Sequence, residues 1–335
     1  MKYTKAVNID CFLHEIGGGY GIEKKCLKDN NGEYILKRSE TKEEIINNAK
    51  EANILLVESV TKKIDKEIIN ELDNCWMIGK YTIGVDNIDI DAASKKGIVV
   101  CNLPDYCIEE VSDLTVTLIL TLVRQIIQMH DTIKRGGWRD KKNINDIHRV
   151  NQLQIGLVAF GKIPQLVAKK MVGFDCKIVT YDPFISNDIL EEYGVDGVTL
   201  DELLTTSDIV SVHTPLNSKT KHMISTPEFN KMKNEAYIVN TSRGSVLDEK
   251  ALIMALQEKL IAGAALDVTE VEPLPADSPL RYMDNVVITP HAGSSSIESD
   301  IDVHYKMAKA MEDIILGKWP RFALNRDIKP RISLK

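Results

Sequence analysis

The sequence predicts an α/β protein with two doubly wound parallel sheets in series. Three observations carry this. Short apolar runs alternate with helical patterns along the chain, the signature of βαβ units and parallel strands. The alternation comes in two series, the second beginning near Gln154. The length of 335 residues suits two domains, since one takes about 100–200. Open sheets of this kind bind ligands outside the carboxyl ends of their strands, so a cleft between two such domains is the expected ligand site.

In the first series strands are expected at Ala6–Asp10, Asn53–Glu58, Trp76–Tyr81 and Ile98–Cys101, with helices such as Lys42–Glu51 and Asp65–Leu72 between them. Val111–Ile127 is the most apolar stretch. Asp113, Arg124, Gln125 and three threonines interrupt it, and a membrane span needs about 20 mostly apolar residues, so it reads as a soluble helix. Leu114, Leu118 and Leu122 share a face, and Ile119, Val123, Ile126 and Ile127 continue round it. A helix that is apolar on most of its circumference is buried on several sides, in a core or at a subunit interface. In the second series strands are expected at Gln154–Phe160, Lys177–Tyr181, Ile209–His213, Ala236–Asn240, Ala262–Leu266 and Val286–Thr289. Helices should start near Ile163, Pro227 and Asp248, and a last one should span Glu298–Leu316. The tail then carries Arg321, Arg326, Lys329, Arg331 and Lys335, which read as solvated charges.

Composition narrows the function classes. Lys and Arg number 42 against 49 Asp and Glu, a net charge of −7, whereas nucleic-acid binders usually carry a basic face. A hydrophobic share of 44% with 27% charged residues excludes collagen-like and disordered classes. The six cysteines (11, 26, 75, 101, 107 and 176) form no C-x-x-C and keep no regular spacing. They read as reduced thiols of a cytoplasmic chain, with no metal site expected. No apolar run long enough for a signal peptide occurs among Lys2, Lys5, Asp10, His14 and Glu15. The basic run 134–142 around Trp138 reads as a solvated loop.

The run Gln154–Phe160 leads into AFGKIP (159–164) and then into a helical pattern. Strand, tight turn and helix are the context of a dinucleotide fingerprint, G-x-G-x-x-G. Only Gly161 of its three glycines remains, where the backbone approaches the pyrophosphate; Ala159 and Pro164 replace the others. Ala159 makes the turn if its φ stays negative, and Pro164 suits a first helical turn, where its missing N–H is not needed. The amides of Lys162 and Ile163 can still face a phosphate at the helix N-terminus. On this motif alone, cofactor binding and a plain βα turn are balanced. Asp182, 21 residues beyond Gly161, adds weight: an acid about 20 residues on binds the ribose 2′-hydroxyl and repels a 2′-phosphate, favouring NAD over NADP.

Three further loops follow predicted strands. NTSRGSVLDEKAL (240–252) places Arg243 in a turn, AALDVTEVEPLP (264–275) places Asp267 and Glu272, and ITPHAGSSS (288–296) places His291. All leave carboxyl ends of parallel strands, so they can converge. Here the sequence resembles the D-isomer-specific 2-hydroxyacid dehydrogenases. The resemblance spans nearly the whole chain and is strongest from Tyr81 to Gly293. It includes IGVDNIDIDAASKKGIVVCNLP (83–104), YCIEEVSDLT (106–115), HTPLNSKTKHMI (213–224), NTSRG, AGAALDVTEVEPLP and TPHAG. The run PDYCIEEVSDLT (104–115) is most similar to the branch with the C-terminal-binding proteins and their bacterial enzyme relatives.

The resemblance implies a Rossmann NAD domain at 102–292 inserted in a flavodoxin-like substrate domain made of 1–101 and 293–335. It implies a homodimer with the apolar helix in the dimer region. Arg243 matches the arginine that binds the substrate carboxylate, His291 the acid/base, and Glu272 the partner of that histidine. Asp267 matches the contact to the nicotinamide carboxamide, and the amides of Ile83 and Gly84 match the loop that helps hold the substrate carboxylate. Thr115, Thr214, Pro215, Thr241 and Ser242 fall at positions that line the cofactor. The implied activity is NAD-dependent reduction of a small 2-oxo acid to a D-2-hydroxy acid, with no nucleic-acid or membrane partner. The alternative is an NADH-sensing, corepressor-like binding protein. One departure bears on substrate: the arginines that phosphate-binding members carry after the strand ILLVES are absent, and Glu58, Ser59 and Val60 stand there, which argues against 3-phosphoglycerate.

Overall fold

The structure is a computed structural model and describes residues 3–10, 19–139 and 147–335. Lys2, Cys11, His14, Glu15 and the 140–142 part of the basic loop lie outside the described residues. The chain divides into two compact units, Met1–Cys107 with Ser295–Lys335, and Ile108–Ser294.

The first unit holds β1 (Thr4–Asn8), β2 (Gly32–Leu36), β3 (Ile54–Val57), β4 (Met77–Lys80) and β5 (Val99–Cys101). All pair in parallel in the order β2-β1-β3-β4-β5. Helices α1 (Gly21–Asp29), α2 (Lys42–Ala49), α3 (Lys66–Asn70) and α4 (Ile90–Lys95) connect them. Local chemistry sets their starts. Thr41 and Glu44 form a capping box at α2, and the Asp65 and Asp89 carboxylates accept first-turn amides of α3 and α4. The central strands β3, β4 and β5 are buried throughout, as continuous apolar runs in parallel sheets are. The edge strand β2 is absent from the sequence reading because each of its residues is only half-buried and no apolar run marks it.

The chain returns through the long helix α12 (Ile297–Ile315), whose Val303, Met307, Met311 and Ile314 pack in one core with Leu56, Met77 and Val99. The tail beyond it is docked, not solvated as expected. The Arg331 guanidinium donates to the carbonyls of Leu72 (2.6 Å), Lys96 (2.7 Å) and Cys75 (3.3 Å). Buried Asn325 bonds Val100 N–H, Ile98 O and Ser94 Oγ. Carbonyls at strand and helix ends need donors, and the tail supplies them.

The second unit opens with α5 (Ile108–Val123) and α6 (Ile126–Lys134). The single apolar helix expected through Ile127 is therefore two. Gln125 stands between them in the left-handed conformation, which ends α5 where the chain leaves the core. Leu118, Ile119, Leu122 and Val123 of α5 are buried, whereas no residue of α6 is. The sheet is formed by β6 (Gln154–Val158), β7 (Lys177–Tyr181), β8 (Asp196–Gly197), β9 (Ile209–Val212), β10 (Tyr237–Asn240), β11 (Gly263–Leu266) and β12 (Val286–Ile288). Between them run α7 (Lys162–Met171), α8 (Asn187–Tyr193), α9 (Leu200–Thr206), α10 (Thr226–Phe229) and α11 (Glu249–Gln257). The seven strands are parallel in the order β12-β11-β10-β9-β6-β7-β8. The strand order reverses between β6 and β9, the switch point at which such sheets bind ligands.

Candidate active site

Every residue singled out in the second unit, Thr115 on α5 apart, lies in the loop or first helical turn that follows the carboxyl end of a strand: 159–163 after β6, Asp182 after β7, Thr214 and Pro215 after β9, Thr241–Arg243 after β10, Asp267 and Glu272 after β11, and His291 after β12. Parallel pairing puts these ends on one edge of the sheet.

At β6 the turn takes a form that corrects one expectation. Ala159 has φ +81°, not a negative value; the turn itself demands the left-handed region, which is why glycine is the usual residue there. Its N–H donates to Tyr181 O (2.8 Å). The Asp182 carboxylate accepts Phe160 N–H at Oδ2 and Phe184 N–H at Oδ1, both 2.8 Å, so it braces the turn and keeps lone pairs for a ribose. Gly161 is the N-cap of α7, with no heavy atom within 4 Å of where a Cβ would sit. Lys162 and Ile163 follow in the first helical turn, where amides have no partner inside the helix, and Pro164 is buried. Thr214 Oγ1 is buried without a hydrogen-bond partner among the described residues. An open glycine, first-turn amides, a bracing Asp182 and an orphaned hydroxyl at the switch point fit a dinucleotide. Behind the turn, Thr115 Oγ1 bonds Val111 O (2.7 Å) and Thr241 Oγ1 (2.9 Å), which joins α5 to the arginine turn.

After β12, His291 Nδ1 lies 2.7 Å from Glu272 Oε2. A carboxylate accepting the Nδ1–H fixes the tautomer and leaves Nε2 to exchange a proton with a ligand. Burial pushes the Glu272 carboxyl up, but the bond from His291, its charge, the Thr269 N–H and the Arg243 charge outweigh it and hold it below its ordinary value. His291 itself has φ +53°; its N–H donates to Asp267 O (2.8 Å). Buried Asp267 takes Thr289 Oγ1–H (2.5 Å) and Ala292 N–H (2.9 Å) at Oδ1 and Gly293 N–H (2.9 Å) at Oδ2. It therefore shapes the histidine turn in addition to any role toward nicotinamide. Arg243 is half-buried, and its Nη1 donates to Ser242 O (2.8 Å). Asn240, read from the sequence only as the close of a strand, holds this turn: Oδ1 accepts Ser242 N–H and Oγ–H, and Nδ2 donates to Arg243 O. His213 is a neutral base here: burial pushes its imidazole down to about 3, and it bonds Ser211 Oγ at 2.9 Å.

Ile83 and Gly84 lie in the first unit, in the loop after β4. Their carbonyls are tied down by Asn102 Nδ2 (2.6 Å) and Thr82 Oγ1 (3.0 Å). Trp138 is 81% exposed and Tyr106 packs on the first unit's core. The five described cysteines are free thiols; burial pushes Cys75 and Cys101 up to about 12.

A two-domain α/β protein with a switch-point nucleotide turn and a His–Glu pair on the same sheet edge belongs to the class of nicotinamide-dependent dehydrogenases. The chain is a member of the D-isomer-specific 2-hydroxyacid dehydrogenase family: the model of that family's NAD binding domain matches residues 116–293. It is 38% identical over 304 residues to the D-3-phosphoglycerate dehydrogenase of Methanocaldococcus jannaschii, covering 90% of this chain and 57% of that protein. It is 38% identical over 297 residues to the glyoxylate reductase of Thermofilum pendens, covering 86% of each. Its fold superposes with a TM-score of 0.82 at 28% identity on the D-lactate dehydrogenase of Aquifex aeolicus solved with NAD and lactic acid, over 94% of this chain and 96% of that one. Among the described residues no helix is long and apolar enough to cross a membrane.

Proposed function

We propose that the chain is an NAD-dependent oxidoreductase that reduces a small 2-oxo acid to a D-2-hydroxy acid, reversibly. The observation that carries this is the 2.7 Å His291–Glu272 pair on the same sheet edge as the nucleotide turn. The nicotinamide, when bound, supplies hydride to C2. Arg243 holds the substrate carboxylate by its planar fork and polarises the adjacent carbonyl. His291 Nε2 donates a proton to the carbonyl oxygen in reduction and removes it in oxidation, with Glu272 stabilising the charged ring. Gly161, Lys162, Ile163, Asp182, Thr115, Thr214, Pro215, Thr241, Ser242 and Asp267 are assigned to the cofactor. The assignment of Ile83 and Gly84 to the substrate carboxylate rests on the resemblance.

The substrate is a 2-oxo acid without a phosphate. At the end of β3 the Glu58 carboxylate is buried and accepts Tyr20 O–H (2.5 Å) and Asn8 Nδ2–H. The Glu58 and Ser59 amides, which could cradle an anion, both donate to Asp10 Oδ2 (2.7 and 2.9 Å). An internal carboxylate thus occupies those donors. We further propose a cytoplasmic homodimer that uses α6, with no nucleic-acid or membrane partner.

The test follows NADH oxidation at 340 nm on glyoxylate, hydroxypyruvate, pyruvate, branched-chain 2-oxo acids and 3-phosphohydroxypyruvate, with NADPH in parallel. Expected are turnover with NADH on an unphosphorylated acid, a D-configured product, and a kcat in His291→Ala lower by about 10²–10⁴-fold with NADH affinity kept. NADH binding without turnover on any acid would instead support the NADH-sensing reading.

A further inference from the structure

His222 and Glu270 take no part in the chemistry above, yet they form a second His–Glu pair in the same unit, Nε2 to Oε1 at 2.7 Å. His222 stands at φ +53°, where a residue with a Cβ is strained. Strain of this kind persists where the surroundings over-determine it, and it clusters at functional sites.

Three loops meet at this pair. The first, 213–225, follows β9 and carries Thr214 and Pro215. The second, 241–248, carries Arg243. The third, 267–273, carries Asp267 and Glu272. Backbone bonds join the first to the second: His222 N–H to Ser245 O (2.8 Å), Ile224 N–H to Val246 O (3.3 Å) and Asp248 N–H to Ile224 O (2.9 Å). Close packing joins the second to the third. A Cβ on Gly244 would lie 2.0 Å from both Thr269 C and O, so the 269–270 peptide rests directly on the arginine turn, and Glu270 N–H donates to Glu249 Oε2 (2.9 Å). Between the first and the third loop runs the His222–Glu270 bond. Thr220 Oγ1, donating to Pro215 O (2.6 Å), extends the tie back toward the cofactor residues. On the far side, Thr269 N–H donates to Glu272 Oε1 (3.1 Å), one residue before Glu270.

We propose that His222 and Glu270 are positioning residues: their bond closes a triangle of loops and thereby fixes Arg243 relative to the Glu272 that orients His291. The inference rests on the roles proposed above for those three residues. Neither member of the pair touches the reacting atoms. The competing account is that Glu270 merely compensates the backbone strain of His222, and one substitution separates the two. Glycine adopts a φ of +53° freely, so His222→Gly removes strain and pair together.

The experiment measures kcat, KM for the 2-oxo acid, NADH affinity by fluorescence, Tm, and amide hydrogen exchange over 242–248 and 268–273. It uses the wild type, His222→Gly, His222→Gln and Glu270→Ala. With the triangle broken, His222→Gly keeps its Tm and its NADH affinity within about twofold, loses about tenfold or more in kcat/KM through misplacement of the two loops, and exchanges faster in both segments. His222→Gln, whose amide can donate to Glu270, regains part of the loss, and Glu270→Ala matches the glycine variant. Wild-type kcat/KM and exchange in His222→Gly overturn the proposal in favour of strain compensation. Should the wild type turn over no 2-oxo acid, the functional reading fails by itself. The exchange data still decide the pair: faster exchange in both segments supports it and unchanged exchange overturns it.

Discussion

At the scale of single residues, the nucleotide turn separates what a side chain does for the fold from what it does for a ligand. Gly161 has φ −73° and empty space at its Cβ position, so alanine fits the folded backbone. Where the native conformation is compatible, Gly→Ala stabilises by about 0.4–1 kcal/mol through the unfolded chain. Gly161 is also the N-cap of α7, where alanine is poorer than glycine by a similar amount, so Gly161→Ala is expected to leave stability to urea near the wild type while lowering NADH affinity by about tenfold or more, about 1.4 kcal/mol, because a methyl stands where the pyrophosphate must approach. Parallel urea melts and fluorescence titrations check this, and unchanged NADH affinity would move the cofactor elsewhere. Ala159 is the converse. Its left-handed φ costs about 1–2 kcal/mol, part of which glycine forfeits as chain entropy, so Ala159→Gly should gain roughly 0.5–1 kcal/mol with NADH affinity at least kept. A loss of stability would contradict the φ of +81°. The motif's presence was legible in the sequence, but the sign of that φ was not, because it is set by Asp182 and Tyr181 across the sheet rather than by neighbours in the chain.

At the scale of elements, the strands were legible wherever both faces are buried. Lys177–Tyr181 agrees residue for residue with β7, and the other central strands differ by one or two residues at their ends. What escaped has a half-exposed or polar character: β2, the two-residue β8, the break at Gln125, and the docking of Arg331. The last depends on partners far along the chain, the carbonyls of Leu72, Cys75 and Lys96. The loop after β11 shows how much function depends on such partners. Thr269 and His291 both hold Glu272, and its carboxyl lies below the ordinary value of 4.5. A folded-state value below the unfolded one means that ionised Glu272 stabilises the folded protein above about pH 4.5, and that this contribution fades as pH falls through the lowered value. Urea unfolding at pH 3, 4, 5 and 7 should therefore show a smaller acid loss of stability in Glu272→Gln than in the wild type. Equal losses would mean that the carboxyl is not held down in the folded state.

At the scale of the whole molecule, one feature stays unexplained by either unit's own core. α6 continues the apolar composition of α5 but buries none of its residues, and Ile126 and Ile133 are 49% and 48% exposed. Seven residues apart, they share a helix face. Soluble monomers rarely expose contiguous apolar patches beyond a few hundred Å², whereas a stable interface buries about 800 Å² on each partner. The apolar pattern runs across Gln125 to Ile127 and suits a core or an interface; the break at Gln125 divides it, with α5 in the core and Ile126 and Ile127 in α6, outside that core. Light scattering is expected to give twice the chain mass of 37.6 kDa for the wild type, with a Tm that rises with protein concentration, since association stabilises by mass action. Ile126→Asp with Ile133→Asp should give the monomer mass and a Tm independent of concentration. The substituted side chains are half-exposed within the chain, so each unit's core is untouched and the loss would report association alone. A monomeric wild type, or a variant that remains dimeric, would show that α6 is not the contact.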